Sequence, residues 1–492
     1  MKSNLIDSLF FEKKMLVDDI FEYPFLVRIF NGLLSDQDKF SLIETSKILN
    51  NNKHKIRFNE IYKLSSKHRK FWYFNCLTKI KVNCEFKFPE TVTHVYFTEK
   101  FNKSLKAIPE NVNCLKFSNV FNGSLELLPN SIMSLDLYSS SFNIMSYEQF
   151  PKHLKILKLS SRCSIINKNV IPKSVLELRC HSLKRIEPGS IDNVEQLTFL
   201  DERTQNLDYF PKGLKKLKLI TTFSRIGNVK FPETLEFLQL TIHQNSGSRS
   251  LNGIIPDSVK ILYLILDGSC ILQGSIPYSV TELHIQTKTS ISLNNVIPDS
   301  VQKLYLNGLF YNLENAIPNS IKELTFGDDF NQPINDLIPN SVEILKFGNH
   351  FNKEVKGHLP NSIKHLSLGN FFNQPIDGCI PNNLISLKFG SQFNNPLDGA
   401  LPSSLIHLEL GFNFNQKIEG RLPQNLKFLK ISKCFRKKLI FPPNLTHLIL
   451  TFRPKGNINY LIPKSVTHLS FTGELGENVY DLVPRHVTYL TI

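Results

Sequence analysis

Apolar residues recur along most of the chain with a period of about 21 residues, at constant offsets from a proline. They stand three, six and eight positions after it, as Val301, Leu304 and Leu306 follow Pro298. Leu304 and Leu306 are two residues apart, so a β-strand would point both side chains to one side. The residues before and between them are mostly polar. This pattern predicts one short, half-buried strand in every unit.

Twenty such units follow one another in register, with Ile191 in place of the proline in one of them. A single unit cannot bury its own apolar face, so the units are expected to stack as a solenoid around one continuous core. Their strands would then form a parallel sheet on the concave face. The marker prolines are Pro89, Pro109, Pro129, Pro151, Pro172, Pro211, Pro232, Pro256, Pro277, Pro298, Pro318, Pro339, Pro360, Pro381, Pro402, Pro423, Pro442, Pro463 and Pro484.

Many units share further residues, namely Gly at position nine and Phe-Asn at positions twelve and thirteen after the proline. Gly369, Phe372 and Asn373 are one such set. We expect the Phe to fill the core behind the strand, and the Asn to bond the backbone of the neighbouring turn in a ladder. The Gly would permit a turn that other residues avoid, while the proline fixes φ on the return side. A unit this short leaves room for turns rather than a full helix.

The best-conserved internal copies carry a recognisable motif. Residues 330–334 and 372–376 both read FNQPI, and residues 393–397 read FNNPL. These segments resemble the FNIP repeat, a relative of the leucine-rich repeat. The resemblance extends from about residue 86 to the end and is strongest over 318–420. It implies an array that works in protein interaction.

The first 85 residues lack the repeat and show apolar positions at helical spacing. Ser35, followed by Asp36, is suited to start a helix, because its side-chain oxygen can accept from free backbone amides. The apolar positions of the two predicted helical patterns are Phe25, Leu26, Ile29, Phe30 and Leu33, then Phe40, Leu42, Ile43 and Ile48.

This N-terminal segment resembles an F-box, with Phe21-Glu22 where that family has Leu-Pro. The resemblance implies a three-helix module that docks on the Skp-type adaptor of a cullin ubiquitin ligase. A second interpretation makes the helices a cap for the solenoid, because an open sheet edge invites aggregation. The residues that the resemblance implies for adaptor binding are Phe21, Phe25, Ile29, Phe30, Leu33, Phe40 and Leu42.

Together these patterns predict an α+β chain, in which an F-box-like helical module precedes a leucine-rich-type solenoid. The predicted parts are a tail at 1–17, the F-box-like module at 18–65, a linker and solenoid cap at 66–85, and the repeats at 86–492.

A net charge of +15 favours acidic partners. Several basic residues occupy outward strand positions within a few neighbouring units. Three acidic residues, Glu177, Glu195 and Glu236, lie near them. This cluster is the predicted target-binding surface; alternatively, scattered lysines merely keep a long sheet soluble. Its candidate residues are Lys155, Lys158, Arg179, Lys215, Lys216 and Lys218.

The sequence shows no phosphate-binding loop, zinc-protease helix or serine-hydrolase elbow, so we expect no enzyme and no cofactor. Five histidines share position five after the proline, and two of them, His447 and His468, would lie within about 5 Å. Metal binding is one interpretation, and an exposed side-chain ladder, the one we adopt, is the other. The five are His94, His365, His407, His447 and His468.

The eight cysteines include no C-x-x-C pair, which favours reduced thiols in the cytosol or nucleus. Neither a signal peptide nor a membrane-spanning apolar stretch is expected.

Three functions remain open. The first is a substrate receptor of a Skp-cullin-F-box ubiquitin ligase, with an unknown protein target bound by the solenoid. The second is a scaffold or decoy binding protein without a ligase connection. Nucleic-acid binding comes third, because the strand faces lack interleaved aromatic platforms apart from Tyr96, Tyr263 and Tyr305.

Overall fold

A strand stands at the predicted place in each of the twenty units in the computed structural model. The structure describes 58–64 and 77–82 as strands, and then most of 88–491, with side chains from residue 79 onward. Residues 1–57 and 65–76 lie outside the described part. Its other gaps of four or more residues are 83–87, 103–107, 138–149, 160–164, 181–184, 200–208, 244–248, 452–461 and 472–482.

The chain divides into two compact units, the first being Met1–His243. Its elements are β1 (Phe58–Leu64), β2 (Leu77–Val82), β3 (His94–Phe97), β4 (Cys114–Lys116), β5 (Ser134–Asp136), β6 (Ile156–Leu159), β7 (Ile165–Ile166), β8 (Glu177–Cys180), β9 (Arg185–Ile186), β10 (Gln196–Phe199), β11 (Lys216–Thr222), α1 (Phe223–Ile226) and β12 (Phe237–His243).

The second compact unit is Gln244–Ile492. Its strands are β13 (Arg249–Ser250), β14 (Ile261–Leu266), β15 (Cys270–Ile271), β16 (Glu282–Thr287), β17 (Ile291–Ser292), β18 (Lys303–Asn307), β19 (Phe310–Tyr311), β20 (Glu323–Phe326), β21 (Ile344–Lys346), β22 (His365–Ser367), β23 (Ser386–Lys388), β24 (His407–Glu409), β25 (Phe428–Ile431), β26 (His447–Leu450), β27 (His468–Phe471) and β28 (Tyr489–Thr491).

Each unit is built around a parallel sheet with one strand from each coil. In the first unit β1 and β2 precede the repeats, and β2 pairs in parallel with β3. In the second, corresponding residues of consecutive coils are direct partners, as Leu345 on β21 is for Leu366 on β22. The two-residue strands form separate parallel pairs, β7 with β9, β13 with β15 and β17 with β19.

The predicted α+β class is wrong, because the described residues are nearly all β. Helix α1 has four residues and is the one α-helix in the described part of the chain. Residues 58–64, the described part of the predicted 18–65 helical module, form strand β1 and pair with β2. The predicted helical patterns end at Ile48, so residues 58–64 entered the module only through its assigned bounds. Their backbone groups are satisfied by pairing with β2 instead. The rest of that module and the 1–17 tail lie outside the described residues.

The phenylalanine at position twelve fills the core, which confirms the prediction. Phe330, Phe351, Phe372, Phe393 and Phe414 are all fully buried. Their rings stack from coil to coil with centroids 6.1 to 6.3 Å apart. The stack therefore forms a continuous apolar spine behind the strands.

The predicted asparagine ladder is also present. The backbone N–H of Asn352 donates to Oδ1 of Asn331 at 3.0 Å. Because each amide oxygen accepts from the next coil, backbone donors find partners where no regular structure exists. The same bond joins Asn373 to Asn352, Asn394 to Asn373, Asn415 to Asn394 and Arg436 to Asn415, at 2.8 to 3.0 Å.

The marker proline begins a tight turn that leads into the strand. The Pro298 carbonyl accepts from the Val301 N–H at 3.1 Å, and most other coils repeat this bond. Small polar residues two positions after the proline tie the turns together. Ser362 Oγ, for example, donates to the Val342 carbonyl of the preceding coil at 2.7 Å. These bonds hold each strand at a fixed register against the previous one.

The glycines at position nine allow consecutive coils to approach closely. Gly348, Gly369, Gly390 and Gly411 have φ outside the left-handed region, so the expected special turn is not the reason for them. A Cβ on Gly369 would overlap the carbonyl oxygen of Gly348, and a Cβ on Gly390 that of Gly369. The contact between backbones is what excludes a side chain.

A second column has the left-handed conformation, shortly before the next proline. Some coils have Asn or Asp here and the others have Gly, because these residue types tolerate positive φ. At Gly378, for example, φ is +64° and a Cβ would meet nothing within 4 Å. The column consists of Asn169, Gly189, Gly253, Gly274, Asn295, Asn315, Asp336, Gly357, Gly378, Gly399 and Gly420.

Candidate protein-interaction surface

The side of each sheet that carries positions four, five and seven faces solvent. In β26, His447 and Ile449 are half-buried, whereas Leu448 and Leu450 are fully buried. Because the core fixes the register, outward residues at equal positions stand beside one another on neighbouring strands. The outward residues vary from coil to coil while the inward ones repeat.

The predicted basic residues lie together in the first unit, on β6, β8 and β11 or directly before these strands. Lys158 is the direct partner of Arg179. Thr198 on β10 stands between Arg179 and Lys218. We call the following set the basic face: Lys155, Lys158, Arg179, Lys215, Lys216 and Lys218, of which Lys158 is half-buried and the others are exposed.

Carboxylates hold part of the basic face in place. Asp136 lies 3.2 Å from Lys158 Nζ and 3.8 Å from Lys116 Nζ. Arg179 pairs with Glu177 on its own strand at 2.6 Å. Asp136 is buried, whereas the cations of these pairs are half-buried or exposed, so the main effect of the pairs is to orient the cations.

The rest of the basic face keeps an excess of positive charge. Lys215 is 3.1 Å from Glu195. Lys155, Lys216 and Lys218 form no ion pair within the described residues, and all three are exposed. The structure therefore brings the predicted residues together and leaves three cations available to a partner.

On the second unit, aromatic rings form a short column at position seven of β14, β16 and β18. The rings of Tyr263 and His284 stack with centroids 3.8 Å apart, and Tyr305 follows at 5.3 Å. Burial, and next the nearby Glu282 carboxylate, raises the pKa of Tyr263. Tyr263 and Tyr305 are thus not isolated, as the sequence suggested, but bracket a histidine.

A single carboxylate organises the charges of β23–β25. Glu409 Oε2 lies 3.6 Å from both Lys388 and Lys430, and its Oε1 lies 3.3 Å from His407 Nε2. The hydrogen bond from His407, together with the two lysines, lowers the pKa of Glu409 to about 2. Glu409 is therefore ionised across the physiological range.

Position five of β24–β28 carries five rings in consecutive coils. We call them the ring column: His407, Phe428, His447, His468 and Tyr489. Centroid distances along it are 3.9, 6.3, 4.1 and 4.2 Å, with all rings close to parallel. All five are half-buried on the outward face. Because each ring covers its neighbours' faces, solvent meets mainly ring edges.

Two threonines fix the neighbouring histidines of the ring column. Thr446 Oγ1 donates to the Lys427 carbonyl at 3.0 Å and lies 2.9 Å from His447 Nδ1. A hydroxyl has one proton, so the Nδ1–H of His447 donates to Thr446. Thr467 lies 2.9 Å from His468 Nδ1 in the same way. Nε2 is then the unprotonated nitrogen of the neutral rings.

Burial lowers the pKa of His447, and burial followed by the nearby His447 lowers that of His468. Both rings are therefore mainly neutral at pH 7. Within the described residues, no group of three His, Cys, Asp or Glu side chains could hold a metal ion. The expected closeness of His447 and His468 is confirmed by their 4.1 Å ring separation.

Sequence reasoning missed two members of the ring column. It noted the histidines at position five but not Phe428 and Tyr489, which occupy the same position. Comparing the residue types at position five of consecutive units, and not only the histidines, would have found both. His94 and His365 share that position, but His94 lies on β3 of the first unit and His365 on β22, two coils before β24. The seven predicted adaptor-binding residues, from Phe21 to Leu42, lie outside the described residues.

Cys114, Cys180, Cys379 and Cys434, the four cysteines whose side chains are described, are free thiols. Among the described helices, none is long and apolar enough to cross a bilayer.

A search of curated proteins gave no match. Among solved structures, the chain is similar to one described as "CroV588 a novel circular LRR protein structure", at 25% identity and a TM-score of 0.53. That match covers 89% of this chain and 82% of the other.

Weaker likenesses are to YopM from Yersinia enterocolitica WA-314 and to the TLR13-ssRNA13 complex. For YopM the identity is 15%, the TM-score 0.39 and the coverage 78% of each chain. For TLR13 the identity is 14% and the TM-score 0.44, and the match covers 85% of this chain and 69% of the other.

The family model of the FNIP Repeat matches six overlapping segments. They are 312–350, 334–371, 351–392, 372–413, 393–434 and 414–453. These segments carry the stacked Phe spine and the Asn ladder described above. Residues 312–453 therefore consist of FNIP repeats, within a chain that folds as a leucine-rich-repeat-like solenoid.

Proposed function

We propose that this chain is a non-catalytic interaction protein, which binds a protein partner on the outward faces of its parallel sheets. The observation that carries the proposal is the contrast between repeated inward residues and varied outward ones. Repeat proteins use such a rigid frame to display a large, adaptable binding surface. Nothing in the displayed chemistry calls for a reaction.

The basic face is the proposed target site of the first unit. Its cations lie on or directly before β6, β8 and β11, and Asp136, Glu177 and Glu195 orient some of them without cancelling all. Long-range attraction of an acidic surface would speed encounter, and close pairing would set the register of the complex. The partner best suited to this face is an acidic protein.

Charge reversal on β11 is expected to weaken target capture about tenfold or more. The variant is Lys215→Glu, Lys216→Glu and Lys218→Glu, since each lost surface ion pair costs up to about 1 kcal/mol. The measurement is quantitative affinity capture by the full chain. The matched control, Lys356→Glu, Lys417→Glu and Lys437→Glu, makes the same change of net charge in loops of the second unit. Equal loss in both variants would contradict a role for the basic face.

A narrower form of the proposal makes the chain a substrate receptor of a Skp-cullin-F-box ubiquitin ligase. It rests on the sequence resemblance of residues 18–65, of which the described part is a strand. A receptor of this kind would act by raising the local concentration of its target near the conjugating enzyme.

Full-length protein is expected to capture a Skp-type adaptor if the narrower form holds. Ile29→Asp with Phe30→Asp should then abolish capture, because charges would enter the apolar contact. The control is the Lys356→Glu variant of the second unit. Failure of the unmodified chain to capture the adaptor would leave a scaffold or decoy function as the proposal.

A further inference from the structure

The outward face of β25–β28 carries no carboxylate over four consecutive strands. Its charged residues are Lys427, directly before β25, and Lys430 on β25. The remaining outward residues of the four strands are uncharged when the histidines are neutral. They are Phe428, Thr446, His447, Ile449, Thr467, His468, Ser470, Thr488, Tyr489 and Thr491. A face depleted of charge and rich in aromatic rings has the composition of a protein interface core.

The charge around this face is positive. The sequence 403–491 holds twelve Lys or Arg residues against five Asp or Glu residues. Glu409 on the adjoining β24 is held by Lys388, Lys430 and His407. Complementarity of charge therefore points to an acidic occupant.

The packing of the rings favours a protein segment over nucleic acid. Single-stranded nucleic acids bind by stacking bases on exposed aromatic faces. In the ring column the faces are already stacked on one another, at 4.1 Å for His447 and His468 and 4.2 Å for His468 and Tyr489. What remains are ring edges, which suit hydrogen bonds to carboxylates.

We propose that the ring column is a docking site for an acidic segment of a partner protein, whose carboxylates accept hydrogen bonds from the Nε2 edges of His447 and His468. Thr446 and Thr467 occupy Nδ1 of the two rings and so aim the opposite edge at the segment. Lys427 and Lys430 extend the positive flank at β25. The ring column shares no residue with the basic face, and the proposal does not depend on that face.

Docking of this kind must take up protons. Nε2 can donate to a carboxylate only when the neutral, Nδ1-protonated ring gains a second proton. The free rings have lowered pKa values because they are half-buried, and the two imidazoles oppose each other's charge. A docked carboxylate would raise both pKa values, so binding strengthens as pH falls through and below 6.5.

The other titratable or charged groups on the packed strands do not change this sign. Lys427, directly before β25, and Lys430 on β25 are cations, and His407 on β24 lies beside Glu409. Glu409 on β24 stays ionised, because its pKa is about 2. His407 is the third histidine of the ring column and is paired with Glu409, so the variant below changes only His447 and His468.

The test is fluorescence anisotropy of labelled decaglutamate with the full chain at pH 7.5 and 5.5. The affinity is expected to rise at least about tenfold on acidification, the effect of one pKa unit on one ring. In a His447→Phe and His468→Phe variant the rise should shrink to about twofold or less. Phe428 shows that the column accommodates this ring, so the stack is kept while the titration is removed. The control, His350→Phe and His358→Phe, removes two histidines elsewhere in the second unit.

Three results would overturn the proposal: affinity independent of pH, an unchanged rise in the column variant, or an equal fall in both variants. Single-stranded DNA of equal charge serves as competitor, and the same dependence on His447 and His468 for DNA would assign the site to nucleic acid. NMR titration of the imidazoles in the unmodified protein needs no variant. Decaglutamate should raise the pKa of both rings, and unchanged values would equally reject the site.

Discussion

Replacing Phe372 by alanine is expected to lower the free energy of unfolding by about 3–5 kcal/mol. The ring is fully buried and lies between Phe351 and Phe393, with centroids 6.1 and 6.2 Å away. Its removal leaves a cavity in the spine, and the fixed register of the coils limits how far neighbours can close it. Denaturant unfolding followed by circular dichroism measures the loss.

The adjacent residue provides a matched control. Phe371 is 49% exposed and contacts His350 at a centroid distance of 5.4 Å. Phe371→Ala removes the same side chain one position away, yet should change stability by no more than about 0.5 kcal/mol. Similar losses at the two positions would mean that the spine does not carry the stability of these coils.

A methyl group at Gly369 is expected to destabilise the protein by about 3 kcal/mol or more, at the upper end of overpacking effects. The Cβ of Gly369→Ala would overlap the Gly348 carbonyl oxygen, which is backbone and cannot rotate away. The coils must then separate locally, and this weakens the ladder bonds of the neighbouring Asn352 and Asn373. The same denaturation experiment, with amide hydrogen exchange of this coil, measures the effect.

At Gly378 the left-handed backbone conformation can be tested without crowding between coils. Its φ is +64° and no atom lies within 4 Å of an added Cβ. Gly378→Ala should cost about 1–2 kcal/mol from backbone strain alone. Gly378→Asn should cost less, because Asn295 and Asn315 hold the same left-handed place in their coils. If Gly378→Asn proved as damaging as Gly369→Ala, the left-handed conformation alone would not explain the glycine at residue 378.

The repeats were predictable because the same spacing of apolar and polar residues recurs in every unit. The spacing of Val301, Leu304 and Leu306 set the strand and its buried side, and the structure has all three in the core. Phe372 and Asn373 were assigned to spine and ladder from the same register, and both assignments are confirmed. Repetition lets a weak local signal be read twenty times over.

The N-terminal region was not predictable in the same way. Residues 58–64 stand alone, without a repeated register to fix their periodicity, and were assigned to a helical module. Their partner is β2, which precedes the first proline-marked unit. Strand pairing is a contact between distant residues, so no local pattern of apolar residues could reveal it. The class of the fold was misjudged for this reason.

The sequence by itself determined the period, the inward residues and the polar ladder, because these depend on spacing within one unit. Only the tertiary structure decided what the outward residues form together. His407, Phe428, His447, His468 and Tyr489 are 19 to 21 residues apart in sequence, yet consecutive rings stack in one column. The physical reason is lateral register: the packed core sets which side chains become neighbours, and side-chain rotamers then set whether those neighbours stack, pair or remain apart.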